Sequence, residues 1–241
     1  ERLRDYWQFR VDGMAEARAR PMKRVVVQPG RDPAHTARVM RLLAAQEVQV
    51  TRTTAPLTSA AAHDYVDGTT GRRTFPAGSY VIDLAQPNAR LAHAMLEPRP
   101  VLDSAFVRAQ LDKFERNRVR GEAATREFYE FYDVTAWALP LVHGLEAWWT
   151  EDTAPVAGDR VTPDMAPAAG AVSGRAQSAY VWLPGQESSL RLTMYLLQEG
   201  FTVGAATQHL RADGQSWPAG TYVARIQRNP ATLHDRIAAL A

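Results

Sequence analysis

Val25–Val27 form an uninterrupted apolar run suited to a buried strand, and Pro29-Gly30 breaks it. Asp32-Pro33 then reads as a helix start, with Asp as N-cap and Pro at the first helical position. Ala37, Met40 and Leu43 recur at helical spacing with Val39 and Leu42 beside them, and Val48 and Val50 alternate with polar residues as a strand does. The same grammar returns late in the chain. Tyr180–Leu183 predict a strand, Pro184-Gly185 breaks it, and Leu190, Met194 and Leu197 share one helical face. Gly200 fits a helix C-terminus, and Phe201-Thr-Val203 restarts a strand.

A nine-residue phrase ties the two stretches together. FPAGSYVID runs from Phe75 to Asp83, and WPAGTYVAR runs from Trp217 to Arg225, 142 positions on. Each copy reads as a tight turn feeding a strand, with Gly supplying unusual backbone angles. A further helix follows each, headed by Asn88 (as a cap) and by Asn229-Pro230. The expectation is an α/β fold of two related strand-helix-strand-strand-helix halves, with a mostly parallel sheet and flanking helices. Only the first stretch carries a long polar insert, Ser59–Arg73, expected as a surface excursion.

The rest divides by composition. Residues 1–20 predict an amphipathic helix or the tail of an upstream domain, 21–100 the first half, and 101–150 a connecting helix plus YDVTAWALPL (Tyr132–Leu141). Ser104–Asn117 reads as that helix, capped by Asp103 or Ser104. Residues 151–177, rich in Pro, Ala and Gly, predict an extended linker, and 178–241 form the second half. Opening on Glu1 without a Met, the chain reads as a piece of a longer protein.

Composition narrows the function classes. The 241 residues are 46% hydrophobic and 22% charged, as in ordinary globular domains. No apolar run approaches the ~18 residues of a membrane span. The basic residues are 26 Arg and two Lys against 26 acids, and the densest cluster, Lys113–Arg120, is broken by Glu115 and Asn117. That is not the unneutralised basic face of a nucleic-acid binder. With no cysteine, disulfides, thiolate metal sites and Cys nucleophiles are excluded.

VVVQPGRDPAHTARVMRLLAAQEVQV, FPAGSYVIDLAQPNARLAHAMLEP, YDVTAWALPL and WPAGTYVARI, in that order, resemble the region after the catalytic domain in large bacterial proteins of the zinc carboxypeptidase (carboxypeptidase A-like) family. The resemblance runs from about Pro21 to the C-terminus. It implies a fold similar to class I glutamine amidotransferases and an exported parent, periplasmic or extracellular. The resemblance further implies zinc only in the upstream catalytic domain and no cofactor in this chain. The implied partners are that domain and, through it, a peptide or cell-wall substrate. The likeness to amidotransferases stops at the nucleophile, since that would be a Cys.

No Gly-rich nucleotide loop and no G-x-S-x-G is present. The turns QPGRDP and LPGQES each join a strand to a helix N-terminus, where free N–H groups and the helix dipole favour anions. Gly30, Arg31, Gly185 and Gln186 are therefore candidate ligand-binding residues, with Gln86 heading another helix. His143-Gly-Leu-Glu146 spells the zinc-ligand motif His-x-x-Glu. Only His209 and His234 follow at long range, and no Glu follows His234. The pair is read as a decoy, leaving no metal and no catalytic residue assigned. His35, His93 and His234 read as surface or packing residues. The expected function is a non-catalytic accessory module that positions substrate for a metallocarboxypeptidase-like domain. The rivals are a free-standing small-ligand or peptide-binding protein and a cryptic hydrolase.

Overall fold

The computed structural model describes residues 1–99, 103–121, 126–130, 138–166 and 170–241. The first stretch holds α1 (Arg2–Ala19), β1 (Arg24–Val27), α2 (Pro33–Ala45), β2 (Thr51–Thr53), β3 (Leu57–Asp64), β4 (Thr70–Phe75), β5 (Tyr80–Asp83) and α3 (Ala89–Leu96). Next come α4 (Ser104–Arg120), the single turn α5 (Leu139–Val142), β6 (Ala147–Thr150) and β7 (Gly158–Arg160). The last stretch holds β8 (Ala179–Trp182), α6 (Glu187–Gln198), β9 (Gly204–Ala205), β10 (Leu210–Ala212), β11 (Gln215–Trp217), β12 (Tyr222–Arg225), a 3-10 turn (Ile226–Arg228) and α7 (Leu233–Leu240). Of YDVTAWALPL, Tyr132–Trp137 lie outside the described residues.

The main sheet has the order β4-β3-β6-β1-β5-β2-β7, and every pairing in it is antiparallel. This corrects the expected mostly parallel sheet. β1 and β2 do point the same way, as a strand–helix–strand crossover requires, because both run antiparallel to β5. The crossover leaves a gap one strand wide, however, and the Pro-Ala-Gly-Ser turn sends β5 back into it. Alternating strands and helices dictate that crossover but not who fills the gap.

The smaller sheet, β8-β12-β9, uses the same register. Val27 faces Tyr80 and Trp182 faces Tyr222; Arg52 faces Tyr80 and Ala205 faces Tyr222. The phrase accounts for this. Gly78 (φ 87°) and Gly220 (φ 88°) occupy the left-handed region, each third in a four-residue turn. The Gly78 N–H donates to the Thr53 carbonyl and the Gly220 N–H to the Ala206 carbonyl, both at 2.7 Å. The buried hydroxyls of Ser79 and Thr221 close the turns on Pro76 and Pro218 at 2.7 Å. The repeated words thus dock a turn on the end of the strand that lies before the intervening hairpin, β2 in one case and β9 in the other.

The apolar periodicity builds the cores. Val39, Met40 and Leu43 of α2 pack with Val25, Val27, Ile82, Leu84 and Leu96 on one face of the main sheet. On the other face Val26, Ala62, Phe75, Val81 and Trp148 form a second cluster. Tyr180, Leu196, Ala224, Leu233 and Ile237 make the core of the smaller sheet. Each fully buried Leu or Ile contributes about 1.5–3 kcal/mol. The polar insert Ser59–Arg73 lies in the β3–β4 hairpin and buries Ala62. Asp103 caps α4, accepting from the Ala105 and Phe106 N–H groups at 2.9 Å. Asn88 makes no side-chain cap; it donates to the Gln46 carbonyl at 3.0 Å and accepts from Arg10, tying two loops and α1 together.

Candidate functional site

β1 and β8 each end in a Pro-Gly turn, and both turns open on one cavity of about 840 Å3. Gly30, Arg31, Asp32 and His35 line it from one side, and Gly185, Gln186, Glu187 and Leu190 from the other. Residues 143–146 form a third wall. Both turn glycines have positive φ, 64° and 81°. The sequence-predicted residues Gly30, Arg31, Gly185 and Gln186 therefore come together.

The two N-termini are stitched directly. One oxygen of Asp32 accepts from the His35 N–H at 3.0 Å, capping α2. The other accepts from the Glu187 N–H at 2.7 Å, the first residue of α6. Gln186 Nε2 donates to the Arg31 carbonyl at 2.7 Å. The Glu187 carboxylate takes Arg38 at 2.8 Å and lies 3.5 Å from His35 Nδ1. The helix N-termini expected to attract an external anion thus already hold a protein carboxylate, which uses the same dipole and N–H attraction.

Gln86 is placed elsewhere. It is buried, accepting from the Gln49 N–H at 2.5 Å and donating to the Asp83 carbonyl at 2.6 Å. Its polar atoms pin the end of β5 to the residue before Val50, and it does not reach the cavity.

His143 and Glu146 do line the cavity, and the His143 ring lies 5.3 Å from that of His35, centroid to centroid. Burial, then the nearby charges of His35 and Arg38, hold the His143 imidazole below its ordinary pKa of 6.5. Among the described residues, no group of three or more His, Asp or Glu side chains is arranged to hold a metal ion. Thr36 and Tyr222 bring the cavity its hydroxyls, and neither bonds an imidazole: that of Thr36 donates to the Pro29 carbonyl. A nucleophile activated by an adjacent base is not assembled from these groups. Of the carboxylates and guanidinium groups lining the cavity, the Arg31 guanidinium and the Glu146 carboxylate, one of each sign, have no side-chain partner among the described residues.

Sequence reasoning missed Asp32, His35 and Glu187 as members of this site. Asp32 and Glu187 carried a signal, since both sit at helix starts beside the two Pro-Gly turns. His35 carried none, because its approach to His143 depends on tertiary packing. Of the remaining histidines read as packing residues, His234 bonds the Tyr180 hydroxyl at 2.7 Å and His93 bonds Arg20 at 2.5 Å. A second cavity of about 560 Å3, around His63, Trp149 and Arg99, contains none of the predicted residues.

No family model, no curated protein and no solved structure matches this chain. Among the described residues no helix is long and apolar enough to cross a membrane.

Proposed function

We propose that this chain is a non-catalytic binding module whose cleft holds the end of a short peptide or another small zwitterion. The observation that carries the reading is the meeting of both Pro-Gly turns, 155 residues apart, on one cavity. Its unpartnered charges, Arg31 and Glu146, complement a ligand bearing both carboxylate and ammonium. Backbone at the turns brings main-chain groups close to a ligand, as binding turns on a rigid scaffold do.

The resemblance to regions beside zinc carboxypeptidase-like domains supplies the setting. In that setting the module holds peptide or cell-wall substrate for an adjoining catalytic domain of an exported protein. Calorimetry with unblocked trialanine tests the binding step. Saturable heat is expected, with Arg31→Gln and Glu146→Gln each weakening affinity at least tenfold and the peptide recovered uncut. Absence of saturable binding at millimolar peptide contradicts the reading.

A further inference from the structure

The β3–β4 and β10–β11 hairpins both precede the repeated phrase, and Leu57 faces Phe75 in one as Leu210 faces Trp217 in the other. Their surroundings differ in one strand. In the main sheet β6 lies between the hairpin and β1, paired antiparallel with both: Val26 faces Trp148, and Trp148 faces Asp64. In the smaller sheet no such strand is found among the described residues. β8 is an edge, and β10–β11 forms a separate two-stranded sheet.

A groove of about 810 Å3 occupies the corresponding place. Ala179, Val181 and Trp182 of β8 line it on one side and Ala212, Asp213 and Trp217 of the hairpin on another, while residues 171–178, Leu192 and the end of α7 complete its wall. The Ile226 N–H donates to the Ser178 carbonyl at 2.9 Å, so Ser178, Tyr180 and Trp182 direct their backbone groups to the β12 side. By the alternation of an antiparallel ladder, Ala179 and Val181 direct theirs to the open edge. Their counterparts Arg24 and Val26 direct theirs to β6.

Side chains repeat the difference. Val26, Phe75 and Val81 are fully buried beneath Trp148, whose ring centroid is 5.5 Å from that of Phe75. The equivalent Val181, Trp217 and Val223 are only half-buried and belong to no core cluster.

The geometry points to a strand-acceptor site: β8 takes an extended peptide, antiparallel, with a large apolar side chain over Val181 and Trp217. Main-chain bonds to Ala179 and Val181 supply affinity, and the apolar pocket supplies selectivity. β6 meets its hairpin at Ala62–Asp64, within the insert that the β10–β11 hairpin lacks, so the occupant pairs with β8 alone, as one extended segment bearing a large apolar side chain in the place of Trp148. The site is separate from the cleft at the Pro-Gly turns and does not depend on it.

The test uses an end-capped, acetylated and amidated peptide copying residues 144–152, which presents no free termini to that cleft. At saturation, amide exchange at Ala179 and Val181 is expected to slow at least tenfold, with Arg24 and Val26 unchanged. Val181→Pro removes an outward N–H and spares the β12 ladder, as edge strands tolerate. It is expected to weaken binding at least tenfold while circular dichroism stays native. The peptide with Ala at the position of Trp148 is expected to weaken binding equally, whether or not the proline variant folds. No binding, protection confined to β9, or displacement of β6 would overturn the proposal. So would protection of Ala179 and Val181 that rises with protein concentration alone, which assigns the edge to a second copy.

Discussion

Asp32 caps two helices at once: its carboxylate accepts the His35 N–H of α2 and, 155 residues away, the Glu187 N–H of α6. A single-helix cap contributes about 1 kcal/mol, so Asp32→Ala is expected to cost about 2 kcal/mol. Urea unfolding measures it. Asp32→Asn retains one oxygen acceptor and is expected to lose about half as much. Equal stability of the wild type and Asp32→Ala would show that α6 is anchored by other contacts.

Glu47 and Gly200 terminate the two equivalent helices, α2 and α6, and both take left-handed φ, 60° and 83°. Gly accepts that conformation freely, whereas a side chain costs about 1–2 kcal/mol there. After allowing for the greater unfolded-state freedom of Gly, Glu47→Gly is expected to stabilise the protein by about 0.5–1 kcal/mol. Gly200→Ala is expected to destabilise it by about 1 kcal/mol. Nothing lies within 4 Å of an added Cβ, so the cost is backbone strain alone. Thermal unfolding of both variants checks the opposite signs.

Tyr65 donates its hydroxyl to the Leu96 carbonyl at 2.6 Å, and burial pushes its pKa far above the ordinary 10. Tyr65→Phe leaves that carbonyl without its partner and is expected to cost about 1–3 kcal/mol by denaturant unfolding. In the wild type, the tyrosine absorbance change near pH 10 should lack the Tyr65 contribution until the protein unfolds.

Local grammar was legible because it is written in adjacent residues. The Val25–Val27 run and the Asp32-Pro33 cap each act over a turn or less and appear where the pattern placed them, and of the two caps open to α4, Asp103 or Ser104, Asp103 is used. Strand neighbours were not legible. Val81 alternates identically whether β5 lies at an edge or between β1 and β2, and only the sheet order distinguishes the two. The Pro-Gly turns marked half of the cleft, since strand-to-helix turns expose backbone at predictable points. The His35–His143 approach was hidden because it links positions 108 residues apart through packing.

His143 gives the pH dependence. Its folded pKa is depressed by burial and by the neighbouring His35 and Arg38, so the unfolded chain binds this proton more readily. Stability is then expected to fall as pH drops below about 6.5 and to be retained above it. His143→Asn should flatten that part of the profile. Ring-proton NMR should place the His143 midpoint below 6.5, and Arg38→Gln should move it upward. A midpoint at or above 6.5 would contradict the assigned burial.

The cleft itself is tested most directly by backbone amide shifts during a titration with unblocked trialanine. Binding at the meeting of the two turns predicts saturating shifts at both Gly30 and Gly185 with one dissociation constant. It also predicts that in Glu146→Gln both titrations move together to at least tenfold higher peptide, while the β8 amides of Ala179 and Val181 stay unmoved. Shifts at only one turn, or none at either with the protein folded, would contradict the account.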